Sequence, residues 1–199
     1  MAAVVGAWYD IARMRQNRWT IVALVLALVA VAAYWLSTRH SPAPPVVDLI
    51  QLFPTSETRS SEPREKVFHV LDLKIGDEQK RAIEVPAPSR IYFKVRVPED
   101  GWLRTSLALK PEAWDKEGDG VLFRIGMWDG KIYDELLNQV VNPYSVPGDR
   151  RWLSVVLDLS AYGGEEMDVL FNTNPSPPRK PEDRRNDLAV WGAPEIYVK

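Results

Sequence analysis

The stretch IYFKVRVPEDGWLRTSLAL, residues 91–109, decides the fold class of this chain. Apolar side chains alternate with polar ones from Ile91 to Val97 and again from Trp102 to Leu109, and Glu99-Asp100-Gly101 lies between the two runs. A period of two is that of a β-strand with one buried and one exposed face, and glycine after acidic residues marks a turn. The stretch therefore predicts two strands joined by a turn.

Similar runs recur from Lys66 onward. Each is short and bounded by turn residues, and the further predicted strands are Val67–Leu73, Ala82–Val85, Val121–Trp128, Trp152–Leu159, Met167–Asn172, Leu188–Trp191 and Glu195–Val198. Asp129-Gly130 predicts a hairpin, whereas Ile132–Val141 suits a helical turn or a bulged strand equally well. About eight or nine short strands at regular spacing predict an all-β fold, an antiparallel β-sandwich (jelly roll), over residues 66–199.

A second feature is the uncharged run from Trp19 to Leu36. As a helix it would be about 27 Å long, close to the roughly 30 Å hydrocarbon core of a bilayer. We therefore expect a single N-terminal transmembrane helix over residues 19–37, preceded by a cytoplasmic amphipathic segment, 1–18, and followed by an extracytoplasmic Pro-rich stalk, 38–65. A cleaved signal peptide is the alternative for the run, and a frayed tail is the alternative for residues 1–18.

The flanking charges predict the orientation of this helix. Three arginines precede it and only Arg39 follows closely, so the positive-inside rule places the N-terminus in the cytoplasm and the C-terminal domain in the periplasm of a bacterial inner membrane. The expected interfacial anchors are Trp19, Tyr34, Trp35, Arg13, Arg15 and Arg18. The small residues Ala23, Ala27 and Ala30 share one face and would allow helix packing, although alanine is also common in membrane helices.

Composition excludes several classes of function. The chain has 199 residues, a net charge of −2 and no cysteine, so disulfides, thiolate catalysis and Cys-based metal sites are excluded. The first forty residues hold four Arg and one Asp, which leaves a mildly acidic outer domain that is poorly suited to nucleic acid.

Recognisable catalytic patterns are also lacking. His40 and His69 are isolated in the sequence and make no zinc pattern, and no G-x-S-x-G motif occurs. Gly118-Asp119-Gly120 and Gly163-Gly164 are typical of turns rather than phosphate loops. We therefore expect a protein that is not an enzyme and has no cofactor.

Three C-terminal stretches carry a resemblance to a known family. They are RWLSVVLDLSAYGG at residues 151–164, MDVLFNT at 167–173 and AVWGAPEI at 189–196. This region resembles the terminal strands of galactose-binding-like, carbohydrate-binding-module-type jelly-roll domains, as found on bacterial membrane-anchored proteins. The resemblance extends over Val67–Val198.

The resemblance implies candidate binding residues. In sugar-binding relatives, exposed aromatic rings stack on pyranose rings while Asp, Asn and Arg bind hydroxyl groups. Candidates here are Trp114, Trp128, Tyr133, Tyr144 and Asn142, with core packing as the alternative for any aromatic residue. Trp152 and Trp191 are expected in the core or at its rim. Such relatives also hold structural Ca²⁺, for which Asp119, Asp129, Asp158 and Asp187 could supply oxygens, but no spaced acidic loop exists and we expect no metal.

A long Pro-rich loop, residues 174–187, adds a further candidate surface. Its basic residues include Arg179, Arg184 and Arg185, interleaved with Glu182 and Asp183. The loop is either solvated or a docking loop for an acidic partner.

These features predict two alternative functions. The first is a non-catalytic single-span accessory or structural subunit of a larger bacterial membrane complex, with a photosynthetic reaction-centre and light-harvesting complex as the candidate. It would contact the lipid bilayer and other membrane-protein subunits and dock through its periplasmic sandwich. The alternative is a membrane-tethered carbohydrate-binding module that acts on envelope glycans.

Overall fold

The computed structural model describes residues 25–30, 46–176 and 183–199. The chain divides into two compact units, residues 1–43 and 44–199. Residues 25–30 are helical, and no helix within the described ranges is both long and apolar enough to cross a membrane. Most of the run from Trp19 to Leu36 lies outside those ranges, as do all the predicted interfacial anchors and Ala23. The transmembrane helix therefore stays a prediction.

The regular structure of unit 44–199 consists mainly of antiparallel strands. Two one-turn helices, α1 (Leu49–Leu52) and α2 (Arg64–Val67), lie near its start. The described strands are β1 (Val47–Asp48), β2 (Glu57–Ser60), β3 (His69–Ile75), β4 (Glu78–Glu84), β5 (Ser89–Arg96), β6 (Gly101–Leu109), β7 (Val121–Trp128), β8 (Tyr133–Val141), β9 (Leu153–Asp158), β10 (Glu166–Pro175) and β11 (Ala189–Val198).

These strands form two sheets. One has the order β3-β4-β11-β6-β9, with β1 also paired to β11, and the other has the order β2-β5-β10-β7-β8. Every strand pair is antiparallel. The predicted all-β, antiparallel sandwich is confirmed.

The core lies between the two sheets and is centred on Trp191. This residue is fully buried, and its ring lies 4.7 Å from that of Phe171 and 5.0 Å from that of Phe123, both edge-on. Phe171 also meets Phe93 edge-on at 5.4 Å. Edge-to-face contacts of this kind stabilise aromatic clusters beyond the area they bury. Trp191 is therefore a core residue, as expected.

Trp152 packs in a second, smaller hydrophobic cluster on the other face of the six-stranded sheet. Its indole N–H donates to the carbonyl of Glu78 at 3.3 Å, and its ring covers Gly192 so closely that an added Cβ there would overlap it. The remaining members of the cluster are Ile75, Ala82, Ala108 and Val190. Trp152 is thus a packing residue and is not available to a ligand.

Strands β7 and β8 form the hairpin that Asp129-Gly130 predicts. The Asp129 carboxylate accepts the amides of Lys131 and Ile132, each at 2.7 Å, and these bonds hold its pKa below the usual value. The register shifts between Ile125 and Gly126, so Tyr133–Val141 is a bulged strand. Of the two interpretations of residues 132–141, the bulged strand is therefore confirmed and the helical turn is wrong.

The sandwich begins before Lys66, within the segment expected as a stalk. Asp48 caps α1 by accepting the amide of Ile50 at 2.9 Å, and Leu49, Ile50 and Phe53 are buried in the core. Strand β2 then pairs with β5. Residues 46–60 belong to the domain because Leu49, Ile50 and Phe53 are buried in its core and β2 pairs with β5.

Candidate functional site

A cleft lies on the outer face of the five-stranded sheet. Ile91, Phe93, Phe123, Ile125 and Phe171 point into the core, so their neighbours along each strand point outward. The outward residues enclose a space of about 360 Å³. We call this space the sheet cleft, and its lining residues are Arg59, Arg90, Tyr92, Arg124, Trp128, Tyr133, Leu170 and Asn172.

Three aromatic rings give the sheet cleft its apolar surface. Tyr92 and Trp128 meet edge-on, with centroids 6.2 Å apart. Tyr133 begins β8 opposite Trp128 and is 39% exposed. Its ring lies directly over Gly126, where any side chain would overlap it. Glycine at this position is therefore what allows Tyr133 to lie flat along the sheet.

Arginines supply the polar part of the sheet cleft. Arg90 donates through Nε to the side-chain oxygen of Asn172 and through Nη1 to the Tyr92 hydroxyl at 3.0 Å. Arg124 pairs with Glu135, and its guanidinium lies 5.9 Å from the Tyr133 ring centroid. These contacts hold the side chains in place before a ligand arrives.

Arg59 closes the cleft from the edge strand β2. It pairs with Glu57 at 2.9 Å and lies 4.9 Å from the Tyr92 ring centroid. A guanidinium over an aromatic face at this distance is a favourable contact.

Two ionisable groups at the cleft have shifted pKa values. Burial raises the pKa of Tyr133, so its hydroxyl is protonated at neutral pH and can donate a hydrogen bond. The amide of Asn138, together with Arg124, lowers the pKa of Glu135, so that carboxylate remains ionised. The rim of the cleft thus offers fixed donors and fixed charges.

The sheet cleft continues in both directions across the sheet. On one side it shares Arg59, Arg90 and Asn172 with a depression that Ser60, Ser61 and Asn174 also line. On the other side it shares Tyr92 and Trp128 with a depression that reaches Lys94 and Asp168. The result is a trough, which suits an extended ligand better than a single compact molecule.

Three other predicted binding residues lie away from this trough. Asn142, Tyr144 and Arg185 come together at one end of the sandwich, around a space of only about 10 Å³. Asn142 holds its own loop, since its side-chain oxygen accepts the amide of Ser145 at 3.1 Å. This space is close to that of one water molecule and is too small for a sugar ring.

Trp114 and Arg184 are also separate from the sheet cleft. Trp114 is half-buried, and its indole N–H donates to the carbonyl of Leu109 at 2.9 Å. Arg184 is exposed, and Arg179 lies outside the described residues. Among the described members of the predicted set, only Trp128 and Tyr133 line the sheet cleft, and a binding role for every member of the set stays a prediction.

Two of the four carboxylates considered for calcium approach each other. Burial, followed by the charge of Asp119, raises the pKa of Asp187 to about 7. Oδ2 of Asp187 is buried and has no hydrogen-bond partner. Asp129 and Asp158 instead each accept amides within their own turns. Within the described ranges, no group of three or more His, Asp or Glu residues could hold a metal ion.

Sequence reasoning missed most of the cleft. Arg59, Arg90, Tyr92, Arg124 and Asn172 were not among the candidates. The alternation of residues 91–97 does place Tyr92 on the outer face, and Arg124 shares a face with Trp128 four residues later. The pairing of β10 with both β5 and β7 is what brings these residues together.

The fold is similar to that of solved carbohydrate-binding modules, which are β-sandwiches. A CBM51 module from Clostridium perfringens GH95, solved with methyl-galactose, is 13% identical with a TM-score of 0.50, and the match covers 76% of this chain and 99% of that module. TmCBM61, solved with β-1,4-galactotriose, is 9% identical with a TM-score of 0.51, and the match covers 79% of this chain and 100% of that module.

At these identities the likeness establishes the fold alone. It confirms the resemblance found in the C-terminal stretches. Both neighbours are binding modules by name, and the expectation that this chain is not an enzyme stays a prediction.

Other matches concern only parts of longer proteins. A curated protein of Archaeoglobus fulgidus, described as uncharacterized, is 35% identical over 107 residues, which are 53% of this chain and 26% of that protein. The chain thus spans about a quarter of that relative. It likewise covers 27% of the solved CBM51-2 and INT domains of Clostridium perfringens ZmpB, with a TM-score of 0.46. No protein-family model matches the chain.

Proposed function

We propose that the protein is a non-catalytic carbohydrate-binding module and that the sheet cleft is its binding site. One observation carries the proposal. A trough on a galactose-binding-like sandwich combines the exposed ring of Tyr133 and the half-buried ring of Trp128 with fixed hydrogen-bonding side chains. Sugar rings present apolar C–H faces to aromatic rings and hydroxyl groups to polar side chains, so this combination suits an oligosaccharide.

Binding of saccharides by the full chain tests the proposal. A glycan array would identify ligands, and calorimetry would measure affinity in a detergent without a sugar headgroup, since glycosidic detergents would compete. We expect Trp128→Ala and Tyr133→Ala each to weaken binding about tenfold or more, as removal of a stacking ring does elsewhere.

Matched variants make this result specific. Trp102 is half-buried like Trp128 but belongs to the other sheet, so Trp102→Ala should leave affinity unchanged. Tyr144→Ala tests whether saccharide binds instead at the end of the sandwich where Tyr144 lies. Loss of binding in Tyr144→Ala with full binding in Trp128→Ala would contradict the proposed location.

The proposal corresponds to the alternative of the two predicted functions. Nothing among the described residues or in the comparisons supports a subunit of a reaction-centre complex. The galactose-binding-like fold supports glycan binding, and no observation supports a specific membrane-protein partner.

We further propose that the uncharged run from Trp19 to Leu36 tethers the module to a cytoplasmic membrane, with the sandwich on the outer side. The support is the length of the run and the arginines before it. Protease added to intact spheroplasts should then degrade the sandwich, while a cytoplasmic control protein survives. Recovery of the chain in the soluble fraction after lysis would contradict the tether.

A further inference from the structure

The three arginines of the sheet cleft lie in a single row across the sheet. Arg59 is directly opposite Arg90, Arg90 is opposite Asn172, and Asn172 is opposite Arg124. Adjacent strands are about 4.8 Å apart, so the backbones of Arg90 and Arg124 are about 10 Å apart across Asn172. Like charges at directly opposite positions oppose sheet formation. The row therefore has an electrostatic cost that an anion bound among these side chains would offset.

Negative charge within the cleft does not balance the row. None of the eight lining residues is acidic. Glu57 and Glu135 pair with Arg59 and Arg124 from outside the lining. Arg90 is different, because its two partners, Asn172 and Tyr92, are both neutral. This leaves one uncompensated positive charge in a domain whose sequence is acidic overall.

The Arg90 guanidinium is fixed and still has donors to offer. Asn172 is 3% exposed and Tyr92 is 7% exposed, so both partners belong to the rigid floor of the cleft. They accept from Nε and Nη1, and none of the described residues accepts from Nη2. A guanidinium has five N–H donors, and a carboxylate is the acceptor that best fits two of them at once.

We propose that the sheet cleft recognises an acidic saccharide, a glycan that contains hexuronate residues. The uronate carboxylate pairs with Arg90, with Arg124 on the other side of Asn172 adding to the positive field. Trp128 and Tyr133 contact the faces of the sugar rings, and the trough takes neighbouring residues of the chain. This inference rests on the proposed function and adds the chemical class of the ligand.

Charge-matched ligands test the inference. The probes are trigalacturonate and a glucuronate-containing trisaccharide, each compared by calorimetry with its own methyl ester, so that size and linkage are constant and only the charge changes. We expect at least one acid to bind the full chain about tenfold more tightly than its ester. Its affinity should fall as sodium chloride is raised from about 50 to about 500 mM, while that of the ester stays nearly constant.

Variants identify the arginine responsible. Arg90→Gln removes the charge and keeps some hydrogen bonding, so it should lower affinity for the acid about tenfold and change that for the ester much less. Arg104→Gln is the matched control, because Arg104 is half-buried and paired with Glu195 on the six-stranded sheet. Thermal melting of each variant verifies that it is folded.

The outcomes separate the two proposals. If esters or neutral galacto-oligosaccharides bind the cleft as well as the acids do, the inference fails and the proposed function stands. Preference for a sulfated saccharide over both acids would also overturn it. If Arg104→Gln weakens acid binding as much as Arg90→Gln does, the effect is general charge and the assignment to Arg90 is wrong. Absence of any saccharide binding would contradict the proposed function itself.

Discussion

Gly126 has no side chain, and this leaves the space that the ring of Tyr133 occupies in the sheet cleft. A Cβ at this position would overlap the ring of Tyr133. We expect Gly126→Ala to displace Tyr133 and to weaken saccharide binding about tenfold, comparable to removing the ring. Calorimetry would measure the affinity.

Gly148→Ala is the control for this prediction. Gly148 is exposed and nothing lies within 4 Å of the Cβ that alanine would add. Its substitution should change neither melting temperature nor affinity. Equal affinity of Gly126→Ala and the unmodified chain would show that Tyr133 takes no part in binding.

We expect the stability of the fold to depend on pH through Asp187. Burial, with a contribution from Asp119 and Asp183, raises its pKa from 3.8 to about 7, against a smaller opposing effect of Arg184. A carboxyl group with a raised folded-state pKa is more easily protonated in the folded chain. Its contribution to stability is therefore complete below about pH 4 and is lost as pH rises through about 7. The melting temperature should fall between pH 5 and pH 8.

Asp187→Asn should remove most of this dependence and melt higher than the unmodified chain at pH 8, by about 5 °C or more. Scanning calorimetry at the two pH values measures both effects. Calcium added at pH 8 tests separately whether these carboxylates bind a cation. If they do, calcium would raise the melting temperature of the unmodified chain and not that of Asp187→Asn. A melting temperature that rises with pH in a way that depends on Asp187 would contradict the assignment.

Elements were predicted well where local alternation determines them. The predicted strand Val121–Trp128 has the same bounds as β7. For residues 91–97, the prediction of which side chains share the apolar face is correct, because every second side chain enters the core. Long-range pairing changed other elements. Leu188–Trp191 and Glu195–Val198 were expected as two strands, yet they form the single strand β11. Ala193 has a positive φ of 44°, and the bulge it forms with Pro194 lets β11 continue.

The segment β1-α1-β2 contributes to the core, which gives a test at the level of the element. Leu49 is fully buried, so Leu49→Ala should lower the free energy of unfolding by about 2 to 5 kcal/mol, as for a buried leucine in any core. Val46 is 57% exposed, and Val46→Ala should change the free energy of unfolding by less than about 0.5 kcal/mol. Urea denaturation measures both. A negligible effect of Leu49→Ala would mean that residues 46–60 belong to the Pro-rich stalk that the sequence predicts and do not contribute to the core.

At the level of the whole molecule, the architecture followed from the sequence and the site did not. Regular turns and alternating runs are local signals, so they identify a sandwich without stating which strands are neighbours. The arginine row depends on three pairings that join residues as far apart as Arg90 and Asn172. Such non-local pairings are set by the packing of both sheets, and a single sequence contains no direct signal of them.

The extent of the folded domain gives the final prediction. Residues 44–199 form one compact unit that contains both sheets and Arg59 of the cleft. A chain that begins at residue 44 should therefore unfold in one cooperative transition and bind saccharide with the affinity of the full chain. A chain that begins at Lys66, the boundary expected from the sequence, lacks β1, α1 and β2. This shorter chain should melt at a clearly lower temperature, because it lacks the buried side chains of Leu49, Ile50 and Phe53. It should also bind saccharide more weakly, because Arg59 is missing. Equal melting temperatures and affinities for the two chains, measured by scanning and titration calorimetry, would mean that the segment before Lys66 is an appendage to an independent sandwich.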